Sequence, residues 1–184
     1  MNATEIKAEQ AAYWRFVRQM PIVAVEALDE DLLVVSASRQ FYIVEVKVSA
    51  ADMRADRLKR KHADIRTVLG LPLLEKQHSF FQDPLKYGRI PNYFYFAVPE
   101  ALKAKAVKIR DEFYPYAGLI LTAPSLGRFL GRCSVIIKNA DQIHENRIGL
   151  KAAVRMVKAQ SASLANAYAH ICGLMRRVDG ISLH

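Results

Sequence analysis

Two charged residues interrupt an apolar run, FYIVEVKV at residues 41–48, that is predicted to form a buried strand. Strand alternation places Glu45 and Lys47 on the same face as Phe41 and Ile43. Burial of two ionised side chains costs several kcal/mol each unless they pair with opposite charge or bind a metal ion. An ion pair within the strand is one explanation, and a site for chemistry is the other.

A second carboxylate is predicted to reach the same place. Asp31 opens the preceding strand, residues 31–35, and the SASRQ segment at 36–40 joins the two strands as a hairpin. If the turn is centred near Ser38, Asp31 lies opposite Glu45 on the partner strand. Two carboxylates and an ammonium group would then converge at one end of the hairpin.

The composition is that of one basic domain covering residues 1–184. A chain of this length that is 52% hydrophobic is long enough to bury a sizeable core. The formal net charge of +9 and the pI near 9.7 favour an anionic partner, with nucleic acid ahead of an acidic membrane. An ordinary basic surface without such a partner is the alternative.

Several classes of protein are disfavoured. No apolar run approaches the roughly 20 residues that span a bilayer, and residues 1–7 lack a signal-peptide pattern, so no membrane protein is expected. Cys133 and Cys172 are too few and too far apart for a disulfide framework or a metal motif, which favours a reducing, cytoplasmic setting. The histidines lack the spacing of a structural zinc site.

The elements that must position the charged residues form an α/β pattern. An amphipathic helix over 4–19, capped by Thr4, is predicted to bury a stripe of Ile6, Ala11, Tyr13, Trp14 and Val17. Further strands are predicted at 22–26 (an edge strand), 93–98, 118–122 and 133–138. Further helices are predicted from a Ser49 cap to about Val68, over 100–110, and within 144–177, and an irregular excursion covers 73–92. This order predicts a mixed central β-sheet flanked by helices, with a core at about 22–138 and a C-terminal helical region at about 144–178.

The residues around Glu45 resemble the PD-(D/E)xK nuclease superfamily. Asp31, thirteen further residues and then Glu45-x-Lys47 match its bipartite motif, with Glu30 at the proline position. Residues 48–56, VSAADMRAD, are similar to part of an EvKvSxxDFRxD stretch in a bacterial and phage branch. The segments YFYFAVP at 93–99 and YAGLI at 116–120 are similar to the yFaVP and yGLl strands of that branch, so the resemblance covers roughly 23–122.

This resemblance implies a restriction-endonuclease-like core and a Mg²⁺-dependent deoxyribonuclease, a hydrolase acting in DNA repair, recombination, restriction or phage DNA processing. Asp31 and Glu45 would be the metal ligands, with the Val46 carbonyl as a third, and Mn²⁺ would substitute for Mg²⁺. Lys47 would orient the attacking water and stabilise the charge of the transition state.

Further candidates lie outside the motif. Glu26 is the first candidate for an additional catalytic carboxylate, with Glu5 and Glu9 as alternatives. Asp52 and Asp56 lie one helical turn apart and could add outer carboxylates, although capping and ion pairing explain them equally well. The substrate-binding candidates are all basic: Lys59, Lys61, Lys86, Arg89, Arg147, Lys151 and Arg155. A solvated charged face is the alternative for each of them.

Two functional classes stay open. The first is an active nuclease whose partner is DNA. The second is a catalytically inactive nuclease-fold protein that serves as a nucleic-acid-binding or assembly module. Asp29 and Glu30 favour the second class, because carboxylates just ahead of Asp31 hinder the approach of a phosphate, and related branches have basic residues there. A homodimer is a further hypothesis about partners.

Overall fold

The computed structural model describes residues 1–75, 77, 85, 90–124, 131, 133–162 and 164. Within these residues, six strands form one sheet whose spatial order follows the chain. The strands are β1 (Ile22–Ala27), β2 (Glu30–Val35), β3 (Phe41–Val46), β4 (Tyr93–Pro99), β5 (Gly118–Thr122) and β6 (Ser134–Lys138). Most of the predicted excursion at 73–92, with Lys86 and Arg89, lies outside the described residues.

The sheet is mixed, as the sequence predicts. Strands β1, β2 and β3 are antiparallel neighbours, β4 and β5 continue the sheet in parallel with β3, and β6 returns antiparallel to β5. The parallel pairs require crossovers, which the helices between the strands supply. The α/β fold and the edge position of β1 are therefore confirmed.

The helices are short. They are α1 (Ala3–Ala12) with a π-helical turn (Tyr13–Val17), α2 (Ala50–Ala55) with a 3₁₀ turn (Asp56–Leu58), α3 (Arg60–Val68), a 3₁₀ turn (Glu100–Leu102) leading into α4 (Lys103–Phe113), and α5 over residues 150–162. In the described part of the chain, no helix is both long enough and apolar enough to cross a bilayer.

Helix α1 differs from its prediction in two details. Asn2, not Thr4, is the cap, because Asn2 and Glu5 each accept a hydrogen bond from the other's backbone N–H. Trp14 is fully buried as predicted, whereas Val17 is largely exposed. The π-helical turn changes the helical phase and rotates Val17 away from the sheet.

Helices cover both faces of the sheet. On one face, Ile6 and Trp14 of the first helix pack against apolar side chains such as Val44 of β3. On the other face, Ile65 of α3 and Ile109 of α4 belong to the larger core cluster, which Met156 of α5 also joins. Burial on both faces explains why β3 is apolar at almost every position.

The C-terminal helix begins later than predicted. Residues 139–149 have no regular secondary structure, and α5 begins at residue 150 instead of near 144. The Ile143 N–H donates to the Asn92 carbonyl and the Ile148 N–H to the Arg39 carbonyl, so tertiary hydrogen bonds replace helical ones. The predicted helix beyond residue 164 lies outside the described residues.

Candidate active site

The β2–β3 hairpin has the predicted turn and register. Leu32 pairs with Val44, so Asp31 and Glu45 are the next residues on the two strands on the side away from the turn. The Asp31 Oδ2 accepts a hydrogen bond of 2.8 Å from the Val46 N–H. The structure therefore brings Asp31 to the backbone of the Glu45-x-Lys47 segment.

The two carboxylates nevertheless have different partners. The Asp31 Oδ1 pairs with Lys7 of α1, with 2.8 Å between Oδ1 and Nζ. The Glu45 Oε1 lies 2.5 Å from the Lys61 Nζ of α3. Because α1 and α3 cover opposite faces of the sheet, the charges of Asp31 and Glu45 are compensated from opposite sides.

Glu45 and Lys47 are 2% and 3% exposed, so the burial that the sequence predicts is confirmed. The Glu45 Oε2 lies 3.1 Å from the Lys47 Nζ and 3.6 Å from the Lys59 Nζ. Together with Lys61, three ammonium groups surround this one carboxylate. Ion pairing thus offsets the desolvation of Glu45.

Glu30 is the carboxyl group beside Glu45. Its Oε2 lies 2.5 Å from the same Lys61 Nζ, and its carboxyl group is hydrogen-bonded to Glu45. Burial, reinforced by that hydrogen bond, raises the pKa of Glu30 to about 8. Burial opposes ionisation of Glu45 too, but the hydrogen bond from Glu30 and the charges of Lys61 and Lys47 hold its pKa below the ordinary value. Glu30 therefore carries the proton of the pair at neutral pH.

A break in the helix after β3 builds the rest of the site. The sequence predicts one helix to about Val68, and this prediction is wrong, because Lys59 is extended (φ −66°, ψ 139°) between the 3₁₀ turn and α3. In a straight helix that begins after Ser49, Lys61 would lie about three turns from the N-terminal end near the site. The break instead directs Lys61 and His62 towards the end of β3, where both make buried contacts.

Asp56 is the centre of these contacts. Its carboxylate is 0% exposed, and Oδ1 lies 2.7 Å from the Lys47 Nζ and 2.6 Å from the Lys59 Nζ. Its Oδ2 lies 2.7 Å from the His62 Nε2. Burial alone would raise the pKa of Asp56, but the contacts with His62 and Lys47 outweigh burial and hold the pKa well below the ordinary value.

His62 connects Asp56 to the turn before β5. Its Nδ1 lies 2.7 Å from the Tyr116 hydroxyl oxygen. Burial lowers the pKa of His62 and raises that of Tyr116, so both side chains are neutral at pH 7. A neutral His62 donates from Nε2 to Asp56 and accepts at Nδ1 from the Tyr116 O–H. A continuous hydrogen-bonded chain thus runs from Tyr116 to Lys47.

The structure places Glu26 away from this cluster. Glu26 is 71% exposed and pairs with the Lys7 Nζ at 2.9 Å, and Lys7 joins it to Asp31. Glu26 therefore belongs to the Asp31 side of the hairpin and makes no described contact with Glu45. This Asp31 group, composed of Lys7, Glu26 and Asp31, joins α1 to the edge strand β1 and to β2.

The two alternatives to Glu26 have structural roles. Glu5 completes the capping box of α1. Glu9 is buried, and its carboxylate accepts hydrogen bonds from the backbone N–H groups of Gly131 and Cys133 at 2.7 and 2.8 Å. Glu9 therefore attaches α1 to the segment before β6.

The basic candidates separate into two groups. Lys59 and Lys61 contact the buried cluster, and the Lys59 side chain is half exposed. Arg147, Lys151 and Arg155 are exposed on α5 and the segment before it. Within the described residues the structure therefore brings only the first group to Glu45.

The donor atoms at this end of the sheet suit a hard divalent cation, because they are carboxylate oxygens on adjacent strands. Both oxygens of Asp31 and of Glu45 are engaged by N–H donors. In the described ranges no group of three or more Asp, Glu, His or Cys side chains is placed to hold a metal ion. Lys61 already holds a positive charge between Glu30 and Glu45, and a divalent cation bound at Glu45 would have to displace this ammonium group.

Sequence reasoning missed Glu30 as a partner of Glu45, and it also missed His62, Tyr116 and Lys7. His62 follows Asp56 by six residues, which is a detectable spacing only if the helix break is known. Lys7 and Tyr116 come from distant segments, and no local pattern indicates either contact.

Comparisons with known proteins add the fold alone. No protein-family model matches the sequence, and no curated protein matches it. A similar solved structure is the SPO1766 protein of unknown function from Silicibacter pomeroyi, with a TM-score of 0.51, 12% sequence identity, and coverage of 93% of this chain and 91% of that chain. At that identity the two chains are similar in overall fold over most of their length.

Proposed function

We propose that this chain is a Mg²⁺-dependent nuclease that hydrolyses phosphodiester bonds in DNA. The observation that carries the proposal is the pairing of Glu45 and Lys47 at the buried end of β3, with Asp31 bonded to the Val46 N–H between them. These are the residues of the bipartite motif, and thirteen residues separate Asp31 from Glu45 in the sequence. The predicted meeting of the Asp31 and Glu45 carboxylates is not observed, and it is the contact of Asp31 with the backbone between Glu45 and Lys47 that supports the resemblance.

The chain's own groups would divide the reaction among them. Asp31 and Glu45, with the Val46 carbonyl, would hold Mg²⁺, which supplies Lewis-acid stabilisation of the phosphate oxygens when bound. The Lys47 ammonium would donate a hydrogen bond that orients the attacking water, and it would stabilise the negative charge that develops on the phosphate. Lys59 can extend from its half-exposed position to bind a non-bridging oxygen of the substrate.

The substrate is proposed to be DNA because the chain is strongly basic. Lys151 and Arg155 lie four residues apart on the exposed side of α5, and Arg147 is exposed in the irregular segment before that helix, where the sequence predicted a helical position. Such basic side chains can contact a phosphate backbone. The affinity of that contact for DNA falls as the salt concentration rises, because binding releases counterions from the DNA. The proposal places the protein in the cytoplasm, in repair, recombination, restriction or phage DNA processing.

The test is nicking of supercoiled plasmid in Mg²⁺ or EDTA by the wild type and by Glu45→Gln and Lys47→Met. We expect cleavage that requires Mg²⁺ and that both substitutions abolish. Asp52→Asn is the matched control, because Asp52 is 52% exposed and lies 3.9 Å from the Lys47 Nζ. Metal-dependent cleavage that survives both substitutions at Glu45 and Lys47 would refute the site.

One observation favours the second candidate, an inactive nuclease-fold protein that binds nucleic acid. Glu45 is fully ion-paired and Glu30 carries a proton, so the cluster holds its charges without a metal ion. This candidate predicts salt-sensitive DNA binding, no cleavage, and a melting temperature that Mg²⁺ does not change. Plasmid nicking and thermal unfolding with and without Mg²⁺ therefore separate the two candidates.

A further inference from the structure

We propose that Asp56, held by His62 and Tyr116, is the positioning residue that fixes the Lys47 ammonium group for reaction. This inference rests on the proposed nuclease function, and it assigns roles to residues outside the bipartite motif. Its basis is the geometry of the buried chain of hydrogen bonds that ends at Lys47.

The strongest contact of Lys47 is with Asp56. The Lys47 Nζ lies 2.7 Å from the Asp56 Oδ1, against 3.1 Å from the Glu45 Oε2. A lysine side chain has four rotatable carbon–carbon bonds, and one carboxylate leaves its ammonium group free to pivot. Two carboxylates on different elements, β3 and the 3₁₀ turn after α2, restrict Nζ to one place.

Asp56 can serve as an anchor because its own orientation is fixed. The Oδ2 is bonded to the His62 Nε2, and His62 is bonded through Nδ1 to the Tyr116 hydroxyl. The His62 ring also packs edge-on against Phe94 of β4, with 5.0 Å between ring centroids. The side chain that positions Lys47 is therefore attached to α3 and to the sheet.

Asp56 also holds a second ammonium group in the same place. The Lys59 Nζ lies 2.6 Å from the Oδ1 that contacts Lys47. Without the Asp56 charge, both ammonium groups would depend on Glu45, whose Oε2 is already shared between them. We therefore expect the loss of Asp56 to displace Lys47 rather than to remove it from the site.

The first arm of the test is kinetic and uses the full chain. Asp56→Asn keeps the shape of the side chain but removes its charge, and we expect kcat to fall by about 100-fold, the cost of a small misplacement of a reacting group. KM for DNA should stay within about twofold, because Asp56 is buried and contacts no substrate. Asp52→Asn, which removes an exposed carboxylate 3.9 Å from the Lys47 Nζ, should change kcat by less than about threefold.

The second arm measures Lys47 without catalysis. In metal-free protein, acetylation of each lysine by an amine-reactive reagent is followed by mass spectrometry. Lys47 should be protected in the wild type and in Asp52→Asn, and should label several-fold faster in Asp56→Asn. Tyr116→Phe removes a single hydroxyl group, is expected to fold, and should give a smaller increase in the same direction.

The two arms separate the possible failures. If the wild type does not cut DNA, the proposed function fails, while the labelling still tests whether Asp56 positions Lys47. Unchanged labelling of Lys47 in folded Asp56→Asn overturns the inference. If Asp56→Asn does not fold, unchanged labelling in Tyr116→Phe overturns it instead. A fall in kcat without a change in labelling also contradicts the positioning role.

Discussion

The two halves of the motif are held in contrasting surroundings. Glu45 lies in a buried cluster where carboxylates and ammonium groups alternate and where Asp56 joins the cluster to a neutral histidine. Asp31 lies near the start of β2 with its side chain 22% exposed, and Lys7 links it to the exposed Glu26 of the edge strand β1. In the first setting the charges have lost their hydration and depend on one another, whereas in the second setting water can replace a missing partner.

The contrast predicts the largest loss of stability at Glu45. Glu45→Ala leaves ammonium groups buried beside Glu30 and Asp56 without their main counter-charge, and we expect a loss of about 3–5 kcal/mol in the free energy of unfolding. Urea denaturation of the variant and the wild type at pH 7 measures this loss. A loss below about 1 kcal/mol would mean that the cluster is hydrated in solution.

The dependence of the free energy of unfolding on pH is the second prediction, and its expected size is intermediate. Burial lowers the pKa of His62 from its ordinary value of 6.5, so neutral His62 supports the fold fully above that pH and less as the pH falls below it. We therefore expect the stability advantage of the wild type over His62→Gln to shrink below pH 6.5, by up to about 1.4 kcal/mol per pH unit. Taking the difference between the two proteins cancels the titration of the other groups. An advantage that stays constant from pH 7 to pH 5 would show that folding does not lower the pKa of His62, and an advantage that grows would show that the folded protein holds His62 charged.

Substitutions in the Asp31 group should have a smaller effect. Glu26→Gln removes an exposed partner of Lys7, and the free energy of unfolding should change by less than about 1 kcal/mol. The same urea experiment measures it, with Glu45→Ala as the buried counterpart. A cost as large as that of the buried substitution would remove the contrast between the two regions.

The smallest effect is expected at the turn that leads into β2. Leu28 and Asp29 form a two-residue turn with positive φ values of 55° and 69°, a conformation that favours Asn and Gly. Replacing the pair by Asn-Gly should raise the free energy of unfolding by about 0.5–1 kcal/mol. Thermal unfolding checks this, and a decrease would show that the Leu28 side chain contributes to packing.

The sheet and the hairpin could be predicted because their signals are local. The alternation around Glu45, the turn residues between β2 and β3, and the cap at Ser49 each specify a nearby part of the chain, and the structure has all three. The order of strands and helices along the chain also predicts a mixed sheet flanked by helices, which the structure has.

The helix break at Lys59 could not be predicted in the same way. Neither proline nor glycine marks it, and residues 56–60 are compatible with a helix. The chain breaks where Asp56 makes buried contacts with Lys47 and His62, so tertiary contacts decide the local structure. The same contacts bring Lys61 to Glu45, and Lys61 in turn holds Glu30 beside it.

The most direct test of the proposed metal site is a crystal structure of the protein soaked in Mn²⁺, with the ion located by its anomalous signal. The account predicts one strong peak within coordination distance of carboxylate oxygens of both Asp31 and Glu45, with Lys61 displaced from Glu45. If Asp31 stays bonded to Lys7 and Glu45 to Lys61, with no peak between the two carboxylates at saturating Mn²⁺, the metal-dependent mechanism is contradicted.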